Sequence, residues 1–300
     1  MRKYSQVNTC IYKVMKAYFA VCRPLWFFVA LFFVMNKQRD KNQKGMLKME
    51  NILERVENYW EGRADGYSEV NEAELNSYKM DVWKELINSY KPDVIGRKLK
   101  VLDIGTGPGF FAITMASCGY DVTAVDYTDA MLYKAKKNAG IYKSAIDFRR
   151  MDAHSLDFED NTFDLIVTRN LTWNLERPDE AYEEWHRVLA PGGRMLNFDA
   201  NWYLHLYDED KRREYFEDRN NSQAQGYNDH YVCTDTTAME EIARNLPLSR
   251  TMRPQWDAAV LLNIGFKKVM IEQDMGDRVW NDEEQVNYAS TPMFMIAATK

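Results

Sequence analysis

Residues 101–126, with the sequence VLDIGTGPGFFAITMASCGYDVTAVD, contain the pattern that decides the fold. The apolar run at 101–104 is typical of a buried strand, and a glycine-rich turn at 105–109 follows it directly. Next come an apolar segment of helical length, 110–117, and a second strand-like segment, 121–125. A strand, a glycine-rich turn, a helix and another strand predict a βαβ unit with parallel strands.

The rest of the chain continues this alternation. Strands are predicted at 146–150, 163–168, 194–198, 267–273 and 293–299, and helices at 130–138, 178–189 and 255–263. Before the first strand, helices are predicted at 51–60 and 69–90, and Gly62 and Gly66 break the helical pattern between them. The alternation predicts an α/β fold in which helices cover both faces of a mostly parallel sheet.

The glycine-rich turn indicates a ligand that the backbone approaches closely. Glycines permit that approach, and the helix that follows presents unpaired N–H groups at its N-terminus. Dinucleotide sites have the spacing G-x-G-x-x-G, whereas this turn is G-x-G-x-G and Phe110 stands where the third glycine is needed. Asp103, which ends the first strand, would repel a pyrophosphate and attract the cationic end of S-adenosylmethionine. The turn therefore favours S-adenosylmethionine over NAD.

Four motifs in the expected order resemble those of class I S-adenosylmethionine-dependent methyltransferases. They are VLDIGTGPGFF at 101–111, AVDYTDAML at 124–132, MDAH at 151–154 and LAPGGR at 189–194. The resemblance is good over 99–200 and extends more loosely to both ends, and it is similar to the ubiquinone/menaquinone-biosynthesis type. It implies a Rossmann-like, seven-stranded, mostly parallel sheet over residues 49–300, with a helical N-terminal cap and an inserted lid at about 205–254.

The resemblance also implies a set of cofactor-binding residues. They are Tyr67, Asp103, Gly105, Thr106, Gly107, Gly109, Asp126, Tyr127, Asp152, Ala153, Arg169 and Asn170. In such enzymes the glycine turn surrounds the methionyl part, and the acid at position 126 accepts hydrogen bonds from the ribose hydroxyls. Tyr127 would pack on the adenine and Asp152 would accept from its amino group. For Tyr67, packing of the N-terminal helices onto the sheet is the alternative role.

Acceptor-binding residues are expected after the fourth and fifth strands, because ligands of such folds bind at the carboxyl ends of the strands. The candidates are Trp173, Asn201, Trp202 and Tyr203, whose aromatic rings suit a planar or cationic acceptor. His205 is the candidate general base, since an imidazole titrates in the useful range. Packing inside the lid is the alternative role for these aromatic residues and for His205.

Charge and cysteine content restrict the partners. Residues 1–48 contain ten Lys and Arg and one Asp, hence +9, which leaves −15 for the rest of a chain whose net charge is −6. Because so acidic a body repels phosphate backbones, we expect no nucleic-acid substrate. The four cysteines show no metal-binding spacing, so we expect no metal and free thiols in a reducing, cytoplasmic environment.

The basic, apolar extension at 1–48 has three interpretations. The apolar run PLWFFVALFFVM at 24–35 is shorter than the roughly 20 residues that span a bilayer, and extending it to 17–35 includes Arg23. As a signal peptide, it lacks an A-x-A-like cleavage site. A start codon assigned too early is the third interpretation, since Met46 and Met49 precede the domain. Membrane contact is expected only if 17–35 is an anchor.

The sequence thus predicts an enzyme that transfers a methyl group from S-adenosylmethionine to a small-molecule acceptor by in-line displacement in a lidded pocket. The product of the cofactor would be S-adenosylhomocysteine. The alternative is a non-catalytic S-adenosylmethionine-binding regulator or partner subunit. The sequence identifies neither the acceptor, nor the atom that is methylated, nor the oligomeric state.

Overall fold

A computed structural model describes residues 52–230 and 235–300, which belong to one compact unit built on a seven-stranded sheet. The strands are β1 (Lys100–Ile104), β2 (Asp121–Asp126), β3 (Ile146–Arg150), β4 (Phe163–Arg169), β5 (Leu189–Asp199), β6 (Lys268–Glu272) and β7 (Phe294–Thr299). Their order is β3-β2-β1-β4-β5-β7-β6, and only β7 runs antiparallel to its neighbours. The predicted seven-stranded, mostly parallel α/β fold is confirmed. The extension at 1–48 lies outside the described residues.

Helices connect these strands and precede them. They are α1 (52–75), α2 (Lys79–Tyr90), α3 (Phe110–Ser117), α4 (Asp129–Asn138), α5 (Pro178–Val188), α6 (Glu209–Gln225), α7 (Thr236–Ala243), α8 (Gln255–Ile264), α9 (Gly276–Val279) and α10 (Asp282–Asn287). No helix in the two described ranges is long and apolar enough to cross a membrane.

The predicted break in the N-terminal helices was placed wrongly. Helix α1 continues through Gly62 and Gly66, and the helical run is interrupted at 76–78 instead. A glycine inside a helix costs only about 1 kcal/mol relative to alanine. Packing offsets that cost, since Ala64 and Ser68 between and beyond the glycines are buried.

The start of β5 also differs from the prediction. The strand begins at Leu189 rather than at the predicted residue 194, so it includes the Pro-Gly-Gly segment at 191–193, and its pairing with β4 is irregular there. A Cβ atom on Gly193 would lie 2.8 Å from the carbonyl oxygen of Ala190 and 2.9 Å from that of Asp164. The glycine is therefore needed because two backbones approach closely, which is a tertiary requirement.

Apolar side chains cover both faces of the sheet, as predicted. On one face Trp83 of α2 packs edge-to-face on Phe111 and Phe198, with ring centroids 5.1 and 4.9 Å apart. On the other face Tyr182 and Trp185 of α5 lie in a second buried cluster. Strand β4 lies between them and is buried along nearly its whole length.

A third apolar cluster joins α1 to the segment between β5 and α8. It contains Ile52, Trp173, Met239, Ile242 and Leu246, and Val56, Tyr59, Trp60, Trp202 and Tyr203 pack against it. Helices α6 and α7 belong to the segment that was predicted as a lid, and α7 and Leu246 of that segment pack on α1.

Candidate functional site

The glycine turn after β1 has the backbone conformation that only glycine adopts readily. Gly105, Gly107 and Gly109 have φ values of 67°, 52° and 96°. A Cβ atom on Gly105 would lie 2.8 Å from Cδ1 of Leu171. The N–H groups of Gly105 and Thr106 donate to the Val125 carbonyl at 2.9 and 3.0 Å, which fixes the turn against β2.

Asp103 supports this turn from below. Its Oδ2 accepts hydrogen bonds from the Thr106 hydroxyl at 2.6 Å and from the Ala112 N–H at 2.9 Å. The side chain is buried, and burial raises the pKa of Asp103 to about 7. This carboxylate holds the turn and lies behind the cavity wall. The expected repulsion between Asp103 and a pyrophosphate is therefore a weaker argument against a dinucleotide. The argument from spacing keeps its force, since Phe110 is 2 % exposed where a third glycine would be needed.

Asp126, at the end of β2, joins the turn to the next helix. Its Oδ2 accepts from the Gly107 N–H and its Oδ1 from the Thr128 N–H, both at 2.9 Å. Burial raises its pKa, although these N–H donors oppose the rise. The carboxylate still has lone pairs for a ligand, because each oxygen can accept more than one hydrogen bond.

A cavity opens above the carboxyl ends of β1, β2 and β4. It encloses about 930 Å³, open mouth included. Nine of the twelve predicted cofactor-binding residues line it: Tyr67, Gly105, Gly107, Asp126, Tyr127, Asp152, Ala153, Arg169 and Asn170. The other three, Asp103, Thr106 and Gly109, lie outside the lining and shape the turn.

Helix α1 closes one side of the cavity. The Tyr67 ring lies against Gly107, where an added Cβ would be 3.5 Å from Cε1, and it packs on Trp60 with ring centroids 5.7 Å apart. Arg169 at the end of β4 holds Glu74 of α1 by two hydrogen bonds of 3.1 and 2.8 Å. Burial alone would lower the pKa of Arg169, but Glu74 raises it above its ordinary value. Arg169 thus stays charged and fixes α1 over the cavity.

Sequence reasoning missed several residues of this wall. Ile52, Leu53 and Val56 of α1 line it, and their apolar helical spacing was the signal that could have found them. His154 and Glu176 line it as well. Oδ1 of Asp152 accepts from the backbone N–H of His154 at 2.9 Å and lies 2.6 Å from its Nδ1. The MDAH motif contained His154, but nothing local related it to Glu176.

Comparison with known proteins agrees with this geometry. Residues 102–197 match the family model described as a methyltransferase domain. The chain resembles class I S-adenosylmethionine-dependent methyltransferases. Over 120 residues it is 37% identical to the ubiquinone/menaquinone biosynthesis C-methyltransferase UbiE of Roseobacter denitrificans, a match that covers 38% of this chain and 47% of the relative. With the demethylmenaquinone methyltransferase of Paenarthrobacter aurescens it shares 33% identity over 133 residues, covering 44% and 50%.

The chain therefore spans about half the length of the curated methyltransferases that it matches. Among solved structures, phosphoethanolamine N-methyltransferase 2 of Haemonchus contortus in complex with S-adenosyl-L-methionine has a TM-score of 0.50 at 17% identity. That match covers 72% of this chain and 51% of the other. At this identity the likeness shows the methyltransferase fold alone.

The predicted acceptor-binding residues of this methyltransferase-like chain lie outside the cavity lining. Trp173, Trp202 and Tyr203 belong to the cluster that joins α1 to the insertion. The Trp202 indole donates to Oδ1 of Asp199 at 3.2 Å, and the Asn201 amide donates to the Arg253 carbonyl at 2.9 Å. In this conformation these side chains hold the insertion in place.

His205 also lies away from the cavity lining. It is 6 % exposed, and its ring stacks on Tyr215 of α6 with centroids 4.2 Å apart and an interplanar angle of 7°. Its Nε2 is 3.8 Å from Oε1 of Glu240, a long ion-pair distance. Burial lowers the pKa of His205 although Glu240 opposes this, so the imidazole is neutral near pH 7.

A buried ionic cluster at the end of β5 was not foreseen. The Arg253 guanidinium binds Oδ2 of Asp199 at 2.6 Å and both carboxylate oxygens of Asp257, and the side chains of Arg253 and Asp199 are 0 % exposed. Tyr182 donates to Oδ1 of Asp257 at 2.6 Å. The cluster ties α5, β5 and α8 together below the insertion. In residues 52–230 and 235–300, no group of His, Cys, Asp or Glu is arranged to hold a metal ion.

The pKa of Asp103 predicts a pH dependence of stability. The folded state keeps the Asp103 proton up to about pH 7, whereas an unfolded chain releases it near about pH 3.9. The contribution of protonated Asp103 to the free energy of unfolding is therefore complete below about pH 4, and it is lost as the pH rises through about 7. Relative to Asp103→Asn, which cannot titrate, the wild type should lose on the order of 3 kcal/mol of unfolding free energy over that range.

Urea unfolding of both proteins at several pH values measures this difference. Other groups with raised pKa values are common to both proteins, so their contributions cancel, apart from that of Asp126, whose charge acts on Asp103. A difference that stays constant from about pH 4 to about pH 7.5 would contradict the assignment.

Proposed function

We propose that this protein transfers a methyl group from S-adenosylmethionine to a small-molecule acceptor and releases S-adenosylhomocysteine. The observation that carries the proposal is the joint placement of Asp126 and the glycine turn at one cavity. The turn offers close backbone approach at Gly105 and Gly107, and the acid at the end of β2 offers acceptors for two ribose hydroxyls.

The residues present fit this cofactor. Asn170 and Asn174 line the cavity, and their buried Oδ1 atoms have no hydrogen-bond partner in the described part of the chain. Such buried acceptors are costly unless a ligand or water satisfies them. Tyr127 would pack on the adenine, with the Arg150 guanidinium 5.2 Å from its ring centroid. Asp152 and Ala153 would bind the adenine edge, and Tyr67 and Arg169 would border the methionyl end.

S-adenosylmethionine held by these residues would supply an electrophilic methyl carbon; as the acceptor atom bonded to it, the bond to sulfur would break and sulfur would keep the electron pair. The protein must align the acceptor and exclude water. Ile52, Val56 and Trp60 of α1 put apolar surface on the cavity and also pack against the insertion. We propose that α1 and the insertion at about 205–254 form the lid, as in other enzymes that close over their substrates.

The lining of the cavity and the names of the relatives support one class of acceptor. One relative is named a ubiquinone/menaquinone biosynthesis C-methyltransferase, and another is named a demethylmenaquinone methyltransferase. The apolar face that α1 contributes suits a small, largely apolar acceptor. Trp173, Asn201, Trp202 and Tyr203 would contact it only after the insertion shifts, because they now pack within the lid.

His205 remains the proposed general base, and a substitution tests it. As a base, His205→Gln should lower kcat about a hundredfold or more and leave the affinity for S-adenosylhomocysteine unchanged. If His205 only packs the lid, His205→Gln should lower kcat no more than the control His186→Gln does. His186 is a partly buried histidine on α5 that lies outside the cavity lining. Unchanged turnover would retire His205 as the base.

Calorimetric titration of the full chain with S-adenosylhomocysteine and, separately, with NAD tests the cofactor. Micromolar binding of S-adenosylhomocysteine alone supports the proposal, and binding of NAD alone, or of neither by a folded protein, overturns it. Conversion of S-adenosylmethionine to S-adenosylhomocysteine with quinone-type acceptors then separates an enzyme from a non-catalytic binding subunit.

A further inference from the structure

The segment that follows β4 forms one side of the cavity. Asn170, Leu171 and Asn174 line the cavity, and the Oδ1 atoms of both asparagines are buried without a hydrogen-bond partner among residues 52–230 and 235–300. Leu171 packs so close to the glycine turn that a Cβ atom on Gly105 would lie 2.8 Å from its Cδ1. A change in the backbone of this segment would therefore move side chains of the cofactor site.

Asn170 has an uncommon backbone conformation in this segment. Its φ is 55°, in the left-handed region that residues other than glycine adopt infrequently, although asparagine does so more often than most. Two hydrogen bonds hold its backbone there. The Asn170 N–H donates to the Phe198 carbonyl of β5 at 2.8 Å, and the Asn170 carbonyl accepts from the Trp173 indole N–H at 2.9 Å. Only the second of these bonds depends on a side chain.

Trp173 is itself held from two other sides. Its backbone N–H donates to Oδ2 of Asp199 at 3.0 Å, and the same oxygen binds the guanidinium of Arg253. Trp173 is 7 % exposed and belongs, with Ile52 of α1 and Met239 of α7, to the third apolar cluster. The indole of Trp173 therefore joins the backbone of the cofactor site to the cluster that holds α1 and the insertion together.

We propose that Trp173 is a positioning residue for the cofactor site: its indole N–H holds the Asn170 carbonyl and thereby keeps Asn170 left-handed, with its side chain at the cavity. This inference rests on the proposed function and deepens it. The role differs from the acceptor contact predicted for Trp173, because it acts on the cofactor site before any acceptor is present. Since Trp173 also packs in the third apolar cluster, the affinity for the cofactor depends on how α1 and the insertion pack.

Titration calorimetry of the full-length protein with S-adenosylhomocysteine, in the absence of any acceptor, tests the proposal. In Trp173→Phe a smaller aromatic ring remains in the cluster but the indole N–H is lost. The affinity should fall about three- to tenfold, the range for one hydrogen bond between uncharged groups. Trp256→Phe is the matched control, because Trp256 is a partly buried tryptophan on α8 that lies outside the cavity lining, and it should keep the wild-type affinity. Wild-type affinity in Trp173→Phe would overturn the proposal.

A double-mutant cycle separates positioning from a general loosening of the fold. Asn170→Gly removes the side chain that is positioned, and glycine adopts a φ of 55° readily. If Trp173 acts through Asn170, adding Trp173→Phe to Asn170→Gly should weaken binding by less than about twofold, so that the two effects are not additive. Additive losses of affinity would mean that Trp173 acts by another route, and they would contradict the proposal.

A measurement on the wild type does not depend on how well the variants fold. Because linkage is reciprocal, a ligand that gains about three- to tenfold in affinity from the indole bond must stabilise that bond by the same factor. Exchange of the Trp173 indole proton, followed by NMR on protein with 15N-labelled tryptophan, should therefore slow about three- to tenfold when S-adenosylhomocysteine binds, and that of Trp256 should not change. An unchanged rate at Trp173 overturns the proposal and leaves the proposed function intact. Failure of a folded wild type to bind S-adenosylhomocysteine removes the proposed function, and this inference with it.

Discussion

Replacing Arg253 with methionine should lower the free energy of unfolding by about 3–5 kcal/mol, the cost of removing one partner from a buried ionic cluster. Asp199 and Asp257 are each 0 % exposed and would be left without their cation. Methionine has a similar length, so the loss would reflect the unpaired carboxyl groups more than a cavity. Urea or thermal unfolding near neutral pH measures the change.

Arg250→Met is the control for this substitution. Arg250 is an exposed arginine three residues earlier, and its replacement should change the unfolding free energy by less than about 0.5 kcal/mol. If Arg253→Met cost less than about 1 kcal/mol, the cluster would contribute little to stability and its role would need another explanation.

Replacing Asp126 with alanine should weaken the binding of S-adenosylhomocysteine by about a hundredfold or more, since hydrogen bonds to a charged group are worth about 1.5–3 kcal/mol each. The variant loses the acceptors for the ribose. It also leaves the N–H groups of Gly107 and Thr128 without the oxygens that hold them at 2.9 Å, so the turn itself loosens. Calorimetric titration measures the affinity.

Two further variants separate these causes. Asp126→Asn keeps one acceptor oxygen and should weaken binding less than alanine does. Asp129→Ala removes an exposed acid at the first turn of α4, paired with Arg150, and should leave the affinity within about a factor of two. Wild-type affinity in Asp126→Ala would exclude this residue from the ribose site.

The order of strands and helices was predictable because the spacing of apolar residues within short segments differs between strands and helices. Strand β4 shows this: its seven residues are nearly all apolar or buried, and its bounds were predicted to within one residue. The glycine turn was predictable for the same reason, since three positive φ values within five residues strongly favour glycine at those positions. These are requirements of the local backbone, and they restrict the sequence directly.

Other features were predicted less well because they depend on neighbours that are distant in sequence. Gly62 and Gly66 stay helical because the packing of α1 outweighs their intrinsic preference. The aromatic residues Trp173, Trp202 and Tyr203 follow strand ends, as an acceptor site would require, yet they pack against α1 more than a hundred residues earlier. The local spacing of residues does not distinguish acceptor binding from packing against α1.

The sequence alone determined the topological class, the glycine turn and the acids near the ends of β1 and β2, because each follows from local backbone geometry or from the ends of adjacent strands. Only the tertiary structure decided which of those acids reaches the cavity: Asp126 lines it, whereas Asp103 is turned under the helix N-terminus. It also brought Glu74 to Arg169 and Arg253 to Asp199. Such pairings between charges distant in sequence are selected by burial, since a carboxylate removed from water must find a partner wherever the fold supplies one.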